Sequence, residues 1–218
     1  MVAPRRDVKP GPARHAKLRF MHVLDARFIG AFLDASTCPA SRPGIAFTGR
    51  SNVGKSSLVN RFANRAIART SKTPGRTRQL VYFELEMEKT PPFYLIDLPG
   101  YGYAAGPEAE RRKFTHAARV LLADPDRRAA VFQLVDVSVP WQPSDLDMLS
   151  WLLEDTVPFA LVFTKVDRVN RSGPAKHLSQ LRALLPWRPE IEVIPTSAKD
   201  NVGTIGMRKW ASRVLREF

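Results

Sequence analysis

Apolar and polar positions along this chain predict strands and helices in alternation. Short, nearly continuous apolar runs indicate strands covered on both faces, and apolar residues recurring every three or four positions indicate amphipathic helices. The predicted strands are 45–49, 79–87, 93–97, 130–136, 159–164 and 191–195. The predicted helices are 55–66, 108–122, 144–154, 174–185 and 203–217.

This alternation predicts an α/β fold of three layers, with helices on both faces of a mainly parallel sheet. Residues 79–87 alternate apolar with polar side chains and lie a short connection before 93–97. We therefore expect six strands, of which 79–87 is an antiparallel edge strand.

The region before the first core strand has two parts. Prolines and a glycine interrupt residues 1–19, which predicts a flexible basic arm. Residues 20–35 carry apolar side chains at helix-like spacing, so we expect this segment to pack on the domain edge. A single domain is predicted over 20–218.

Composition narrows the setting of the protein. The chain has 218 residues, of which 44% are hydrophobic, enough for one sizeable core. No apolar run approaches the roughly 20 residues of a membrane span, so no stable membrane association is expected. Cys38 is the one cysteine, which excludes an intrachain disulfide and favours a reducing, cytoplasmic setting.

The charge points to a polyanionic partner. The net charge is +13, and residues 61–78 contain six basic residues and no acid. Such an excess attracts nucleic acid first and an anionic membrane surface second. The basic residues near the C-terminus either extend the surface that contacts the polyanion or line a solvated helix face. They are Arg208, Lys209, Arg213 and Arg216.

Residues 49–56 have the spacing Gly, four residues, Gly-Lys-Ser, between a predicted strand and a predicted helix. In that context backbone N–H groups hold phosphate oxygens at a helix N-terminus. Lys55 reaches the β- and γ-phosphates, and the Ser56 hydroxyl binds Mg²⁺. The alternative is a glycine-rich turn with a chance lysine. The expected nucleotide contacts are Gly49, Arg50, Ser51, Asn52, Val53, Gly54, Lys55, Ser56 and Ser57.

A second motif, Asp97-Leu98-Pro99-Gly100, ends the predicted strand 93–97. Asp97 at this place holds Mg²⁺ through water, and the Gly100 N–H senses a γ-phosphate. We count Asp97, Leu98, Pro99 and Gly100 among the nucleotide contacts. By itself, such a motif is usually only a turn.

Two later motifs follow the last two strands. In Thr164-Lys165-Val166-Asp167 the Asp167 carboxylate accepts two hydrogen bonds from guanine that adenine does not offer. In Thr196-Ser197-Ala198-Lys199 the Ala198 N–H reaches guanine O6. The expected guanine contacts are therefore Thr164, Lys165, Val166, Asp167, Thr196, Ser197 and Ala198, which disfavours an ATPase.

The loop 70–78 lies between the first two motifs. A mobile loop here brings a threonine hydroxyl to Mg²⁺ and closes over the γ-phosphate. Thr77 is the first choice for this ligand and Thr73 the second. Gly75, Arg76 and Thr77 are the expected nucleotide contacts, and an ordinary basic surface loop is the alternative.

These motifs, in this order, are those of a P-loop GTPase domain. The strings at 49–58, 71–77, 97–104 and 164–167 closely resemble the EngB/YihA/YsxC family of bacterial GTPases, in the TrmE-Era-EngA-like superfamily. The resemblance implies a single GTPase domain, with GTP, GDP and Mg²⁺ as ligands. The resemblance further implies that the protein assists assembly of the large ribosomal subunit, through contacts with precursors of that subunit and with ribosomal RNA. It also implies that the protein is needed for normal cell division and septation. The family motif usually begins with Asn where this chain has Thr164.

Two residues bear on catalysis. Ras-like GTPases use a glutamine after the second motif to position water, and this chain has Tyr101 there, which predicts slow intrinsic hydrolysis. In related GTPases an asparagine at the place of Asn52 helps to bind K⁺. We therefore place Lys55 and Asn52 in the catalytic machinery, with K⁺ as a second cation; the alternative is that Asn52 only braces the loop.

Three functions are compatible with the sequence. The first is a GTP hydrolase that acts as an assembly switch, expected to be a monomer. The second is a nucleotide-gated ribosome-binding module whose hydrolysis is incidental. The third is a division-associated GTPase on a membrane surface, which the lack of an amphipathic anchor or lipidation signal disfavours.

Overall fold

The computed structural model describes residues 21–68, 79–101, 108–155, 157–186 and 188–218, and of residues 108–115 the backbone alone. Seven strands run through these ranges: β1 (Val23–Phe32), β2 (Gly44–Gly49), β3 (Leu80–Met87), β4 (Thr90–Asp97), β5 (Ala129–Asp136), β6 (Phe159–Thr164) and β7 (Val193–Pro195). Five α-helices accompany them: α1 (Lys55–Ala63), α2 (Glu108–Ala123), α3 (Pro143–Glu154), α4 (Gly173–Leu184) and α5 (Thr204–Val214).

The strands form one sheet in the order β1-β3-β4-β2-β5-β6-β7. Strand β2 pairs in parallel with β4 and β5, and the parallel pairing continues through β6 to β7. Strand β3 is antiparallel to both β4 and β1. The predicted α/β fold is confirmed, and the carboxyl ends of the parallel strands meet at one edge, where ligands bind in such sheets.

Helices cover both faces of this sheet. On one face α1 and α5 bury Phe62 and Trp210 against Phe132 of β5, with ring centroids 5.9 Å and 4.8 Å from the Phe132 ring. On the other face α2, α3 and α4 pack against alternate residues of the same strands, such as Val131. The apolar runs are continuous because successive side chains enter different cores. Among the helices in the described ranges, none has the length and hydropathy needed to cross a membrane.

The prediction for residues 20–35 is wrong in its local structure. Most of this segment is β1, an antiparallel strand on β3, so the sheet has seven strands and 79–87 is not the edge. Register shifts between Val23 and Asp25, and between Phe28 and Gly30, break the strict alternation of the strand. These irregularities, together with exposed apolar residues such as Phe28, gave the segment a helix-like spacing.

Arg208 of α5 also differs from expectation, since it is neither a surface cation nor free for RNA. The residue is buried, and its guanidinium donates to the carbonyl oxygens of Phe62 at 2.9 Å, Arg61 at 3.0 Å and Met21 at 3.0 Å. Two of these carbonyls lie in the last turn of α1, where few helical donors remain, although the Arg61 carbonyl also accepts from the Asn64 N–H at 3.2 Å. Arg208 therefore ties the C-terminal turn of the phosphate-loop helix to α5 and to the start of the first strand.

Replacing this guanidinium should destabilise the fold. Arg208→Met keeps the apolar stem but removes the donor to three carbonyls, of which only that of Arg61 is shown with another donor, the Asn64 N–H. We therefore expect the free energy of unfolding to fall by about 2–4 kcal/mol. Urea denaturation measures the change, and Lys209→Gln, at an exposed position on the same helix, is the control. A loss below about 1 kcal/mol for Arg208→Met would contradict this account.

Candidate nucleotide-binding site

The loop that joins β2 to α1 contains the first motif. Gly49 lies close to β5, because a Cβ on it would be 2.9 Å from the Leu134 carbonyl oxygen. Gly54 is the N-cap of α1 and has φ 100°, a left-handed conformation that favours glycine. The first helical hydrogen bond runs from the Leu58 N–H to the Gly54 carbonyl at 3.0 Å, so the N–H groups of Lys55, Ser56 and Ser57 precede it, as at an anion-binding helix end.

Asn52, in the middle of the loop, also has a left-handed backbone, with φ 67°. Asparagine tolerates this conformation better than most residues, which gives its presence a structural reason besides any ligand. Its side chain is exposed, whereas its carbonyl oxygen accepts a hydrogen bond from Lys165 Nζ at 2.7 Å.

The structure pairs the two residues that were predicted to serve phosphate and magnesium. Lys55 Nζ donates to Asp97 Oδ1, and both side chains are buried. Asp97 ends β4, whose parallel pairing with β2 sets it opposite Phe47, just before the loop. Parallel pairing thus brings together residues 42 positions apart.

These donors fit Mg²⁺. Mg²⁺ is usually held by oxygen ligands, namely one or two protein groups together with water and substrate phosphates. Asp97 and Ser56 would supply a carboxylate and a hydroxyl, and a bound ion would neutralise charge on the phosphates. Within the described ranges no three His, Cys, Asp or Glu residues cluster as a metal site. The third expected ligand, Thr77, lies with Gly75 and Arg76 outside the described residues, as does Thr73.

The second motif continues from β4 along the phosphate loop. The Ser51 N–H donates to the Tyr101 carbonyl at 2.9 Å, and the Tyr101 N–H donates to the Gly49 carbonyl at 3.3 Å. Gly100 lies against Ser51, since a Cβ on it would be 3.2 Å from both N and Oγ of Ser51. The segment with Leu98, Pro99 and Gly100 is thereby brought to the loop, as predicted.

The Tyr101 hydroxyl is held by a buried cluster that the sequence analysis missed. The hydroxyl donates to Asp145 Oδ1 of α3 at 3.0 Å and accepts from Gln133 Nε2 of β5. Burial raises the pKa of Tyr101, and the nearby Asp145 carboxylate adds to the rise. Burial also raises the pKa of Asp145 to about 6. A hydroxyl engaged in this way is not available to orient water.

Two signals in the sequence point to this cluster. Gln133 is a polar residue inside the apolar run of β5, and it is fully buried. Asp145 shares the spacing of the buried residues of α3, three and four positions before Met148 and Leu149. A polar residue at a core position needs a hydrogen-bond partner. Here Gln133 and Asp145 share the same partner, the Tyr101 hydroxyl.

The third motif binds the phosphate loop directly. Thr164 Oγ1 donates to the Val53 carbonyl at 2.7 Å, so the residue that replaces the usual asparagine contacts the loop. Lys165, with φ 58°, donates through Nζ to Asp136 at 2.5 Å as well as to the loop. This confirms the predicted contact between Lys165 and the phosphate loop.

The fourth motif meets the third. The Val166 N–H donates to the Thr196 carbonyl at 3.2 Å. A hydrogen bond from Ser197 lowers the pKa of the Asp167 carboxyl, so the fourth motif favours the ionised form of this side chain. Arg61 of α1 donates to the Ala198 carbonyl at 2.8 Å. Arg61 therefore links α1 to the loop that follows β7.

Arg65 is similarly engaged. Its guanidinium donates to Asp25 Oδ1 at 2.6 Å and to the Leu24 carbonyl at 3.1 Å. The rest of the predicted basic cluster, at 69–78, lies outside the described residues.

Comparison with known proteins identifies the family of this site. A family model described as "50S ribosome-binding GTPase" matches residues 44–165, and a probable GTP-binding protein EngB of Thermotoga maritima is 38% identical over 179 residues, covering 82% of this chain and 90% of the relative. The chain belongs to the EngB family of GTP-binding proteins. It is a GTPase.

Other relatives agree. The Koribacter versatilis EngB protein is 41% identical over 186 residues, covering 84% of this chain and 90% of that protein. The crystal structure of a probable GTP-binding protein engB superposes with TM-score 0.65 at 25% identity, covering 80% of this chain and 100% of that one. Era, solved with MgGDPNP and nucleotides 1506–1542 of 16S ribosomal RNA, has TM-score 0.64 at 20% identity, over 80% of this chain and 56% of Era; this likeness shows the fold alone.

The raised pKa of Asp145 predicts a pH-dependent stability. The folded state binds this proton more tightly than the unfolded state, whose ordinary pKa is 3.8, so stability falls as pH rises from about 4 to about 6. The full penalty, roughly 3 kcal/mol, is present above that window. Asp145→Asn should therefore be more stable than the natural protein at about pH 7.5, and the difference should shrink towards pH 4.

Urea unfolding of both proteins across this pH range measures the effect. Asp147→Asn changes an exposed acid on the same helix and serves as the control. Parallel stability profiles for Asp145→Asn and the natural protein would show that Asp145 does not titrate in this way.

Proposed function

We propose that this GTPase is a cytoplasmic, monomeric switch in assembly of the large ribosomal subunit, required for normal division and septation. The observation that carries the proposal is the match of residues 44–165 to the ribosome-binding GTPase family. The net charge of +13 supports an RNA-rich partner. The RNA-bound Era structure supports it only as a precedent for this kind of fold.

The site residues take the following parts in this proposal. The backbone of 49–57 and Lys55 hold the phosphates, and Ser56, Asp97 and Thr77 hold Mg²⁺, Asp97 through water. Asp167 and the Ala198 N–H recognise guanine. On binding nucleotide, Lys55 leaves its pairing with Asp97 for the phosphates, which frees the carboxylate for the metal.

Slow intrinsic hydrolysis follows from the surroundings of Tyr101. Its hydroxyl is bonded to Asp145 and Gln133, and its pKa is raised, so it is a poor base at neutral pH. The ribosomal particle would order or supply the missing catalytic group, as an activating partner does in other GTPases.

Binding to large-subunit precursors should depend on both nucleotide and salt. We expect the protein with a non-hydrolysable GTP analogue to co-sediment more strongly than with GDP, because the γ-phosphate orders the loops that carry the basic residues. The logarithm of the binding constant should fall linearly with the logarithm of salt concentration.

A charge-removal variant locates the contact. Replacing Arg69, Lys72, Arg76 and Arg78 with glutamine should weaken sedimentation and flatten the salt dependence, whereas Lys176→Gln with Arg182→Gln, on the exposed face of α4, should not. Binding that is indifferent to nucleotide and to salt would refute the proposal.

Asn52 provides a test of K⁺ stimulation. We propose that its amide oxygen helps to bind K⁺ beside the phosphates, so hydrolysis should be faster in K⁺ than in Na⁺. Asn52→Gly removes the amide while tolerating the left-handed backbone, and it should abolish the difference between the cations. Equal rates of the natural protein in K⁺ and Na⁺, measured by phosphate release, would reject K⁺ as a cofactor.

A further inference from the structure

The buried cluster around Tyr101 joins four separate parts of the fold. Asp145 comes from α3, Gln133 from β5, and Tyr101 from the segment after β4. Arg50 of the phosphate loop completes it, with Nη1 4.0 Å from Asp145 Oδ2. Asp145 is 3% exposed, so water competes little for its carboxylate and its hydrogen bond with Tyr101 is strengthened, whereas the Arg50 side chain is partly exposed.

Tyr101 is fixed at both ends. Its backbone exchanges hydrogen bonds with Gly49 and Ser51 at the start of the phosphate loop, and its hydroxyl bonds to Asp145 at the far end of the ring. Gly100 is the preceding residue and lies against Ser51 with little free space. The position of the Gly100 N–H relative to the loop is therefore set by Tyr101.

We propose that Asp145 is a positioning residue that, through the Tyr101 hydroxyl, holds the Gly100 N–H where it recognises a γ-phosphate. The inference rests on the proposed GTPase function, with the Gly100 N–H as the γ-phosphate contact that the second motif predicts. Asp145 then favours GTP over GDP without touching either nucleotide, because only GTP has the phosphate that Gly100 meets.

The energetics favour a functional reason for Asp145 over a structural one. A buried carboxylate reduces stability at neutral pH, and an amide or apolar side chain on this face of α3 would avoid that penalty. In exchange, a charged acceptor makes a stronger hydrogen bond to the tyrosine hydroxyl than a neutral one. The acid therefore restricts the segment that carries Gly100 at the expense of overall stability.

The test compares affinities for GDP and for a non-hydrolysable GTP analogue, guanosine β,γ-imidotriphosphate, by titration calorimetry with Mg²⁺. Asp145→Ala and Tyr101→Phe should each weaken binding of the analogue about five- to tenfold, the loss of one hydrogen bond, and change GDP binding less than about twofold. Their combination should weaken it no further than either alone. Asp145→Asn should fall between the alanine variant and the natural protein, because its amide oxygen still accepts from the hydroxyl.

Two further variants separate the possible outcomes. Asp147→Asn, on the exposed face of α3, should match the natural protein. Gly100→Ala should lose affinity for the analogue selectively; if it keeps the natural preference, the part assigned to Gly100 fails and this inference with it. If Gly100→Ala is selective but the Asp145 and Tyr101 variants are not, the positioning role is wrong. Equal losses for both nucleotides would likewise show that Asp145 only supports the fold.

Discussion

The bonds made to the backbone of the phosphate loop hold the candidate site together. Thr164 bonds to the Val53 carbonyl, Lys165 to the Asn52 carbonyl, and Tyr101 to the N–H of Ser51. These three partners come from the carboxyl end of β6 and from the segment after β4, at the carboxyl edge of the sheet. A loop with unpaired backbone groups would lose its shape, so the motifs for phosphate and for guanine depend on each other.

The helix that follows the loop extends this dependence. Arg61 of α1 reaches the guanine loop at Ala198, and Arg208 of α5 bonds to the carbonyls that end α1. Part of the basic excess is thus structural, and charge counted along the chain overstates what is free for a polyanion. The cluster at 61–78 loses Arg61 and Arg65 to internal contacts in this way.

Much of the architecture could be predicted because parallel strands buried on both faces leave a plain signal. Runs such as Val131–Val135 are apolar at every position but Gln133, and the helices between them are amphipathic. The GTPase family was predictable because glycine, lysine and aspartate at this fixed spacing have few other uses. Strand β1 was not predictable in the same way, because its register shifts and its exposed apolar residues, such as Phe28, break the period of two.

The sequence by itself determined the class of fold, the guanine nucleotide as ligand and the family. These follow from local features: the apolar periodicity of each element, and short motifs whose residue types allow a given backbone conformation or hydrogen bond. Only the tertiary structure decided which charges are paired, that Lys55 meets Asp97, and that Asp145 meets Tyr101. Those pairs are 42 and 44 residues apart along the chain. Their encounter depends on the order of strands in the sheet and on which face each helix covers, which no local pattern encodes.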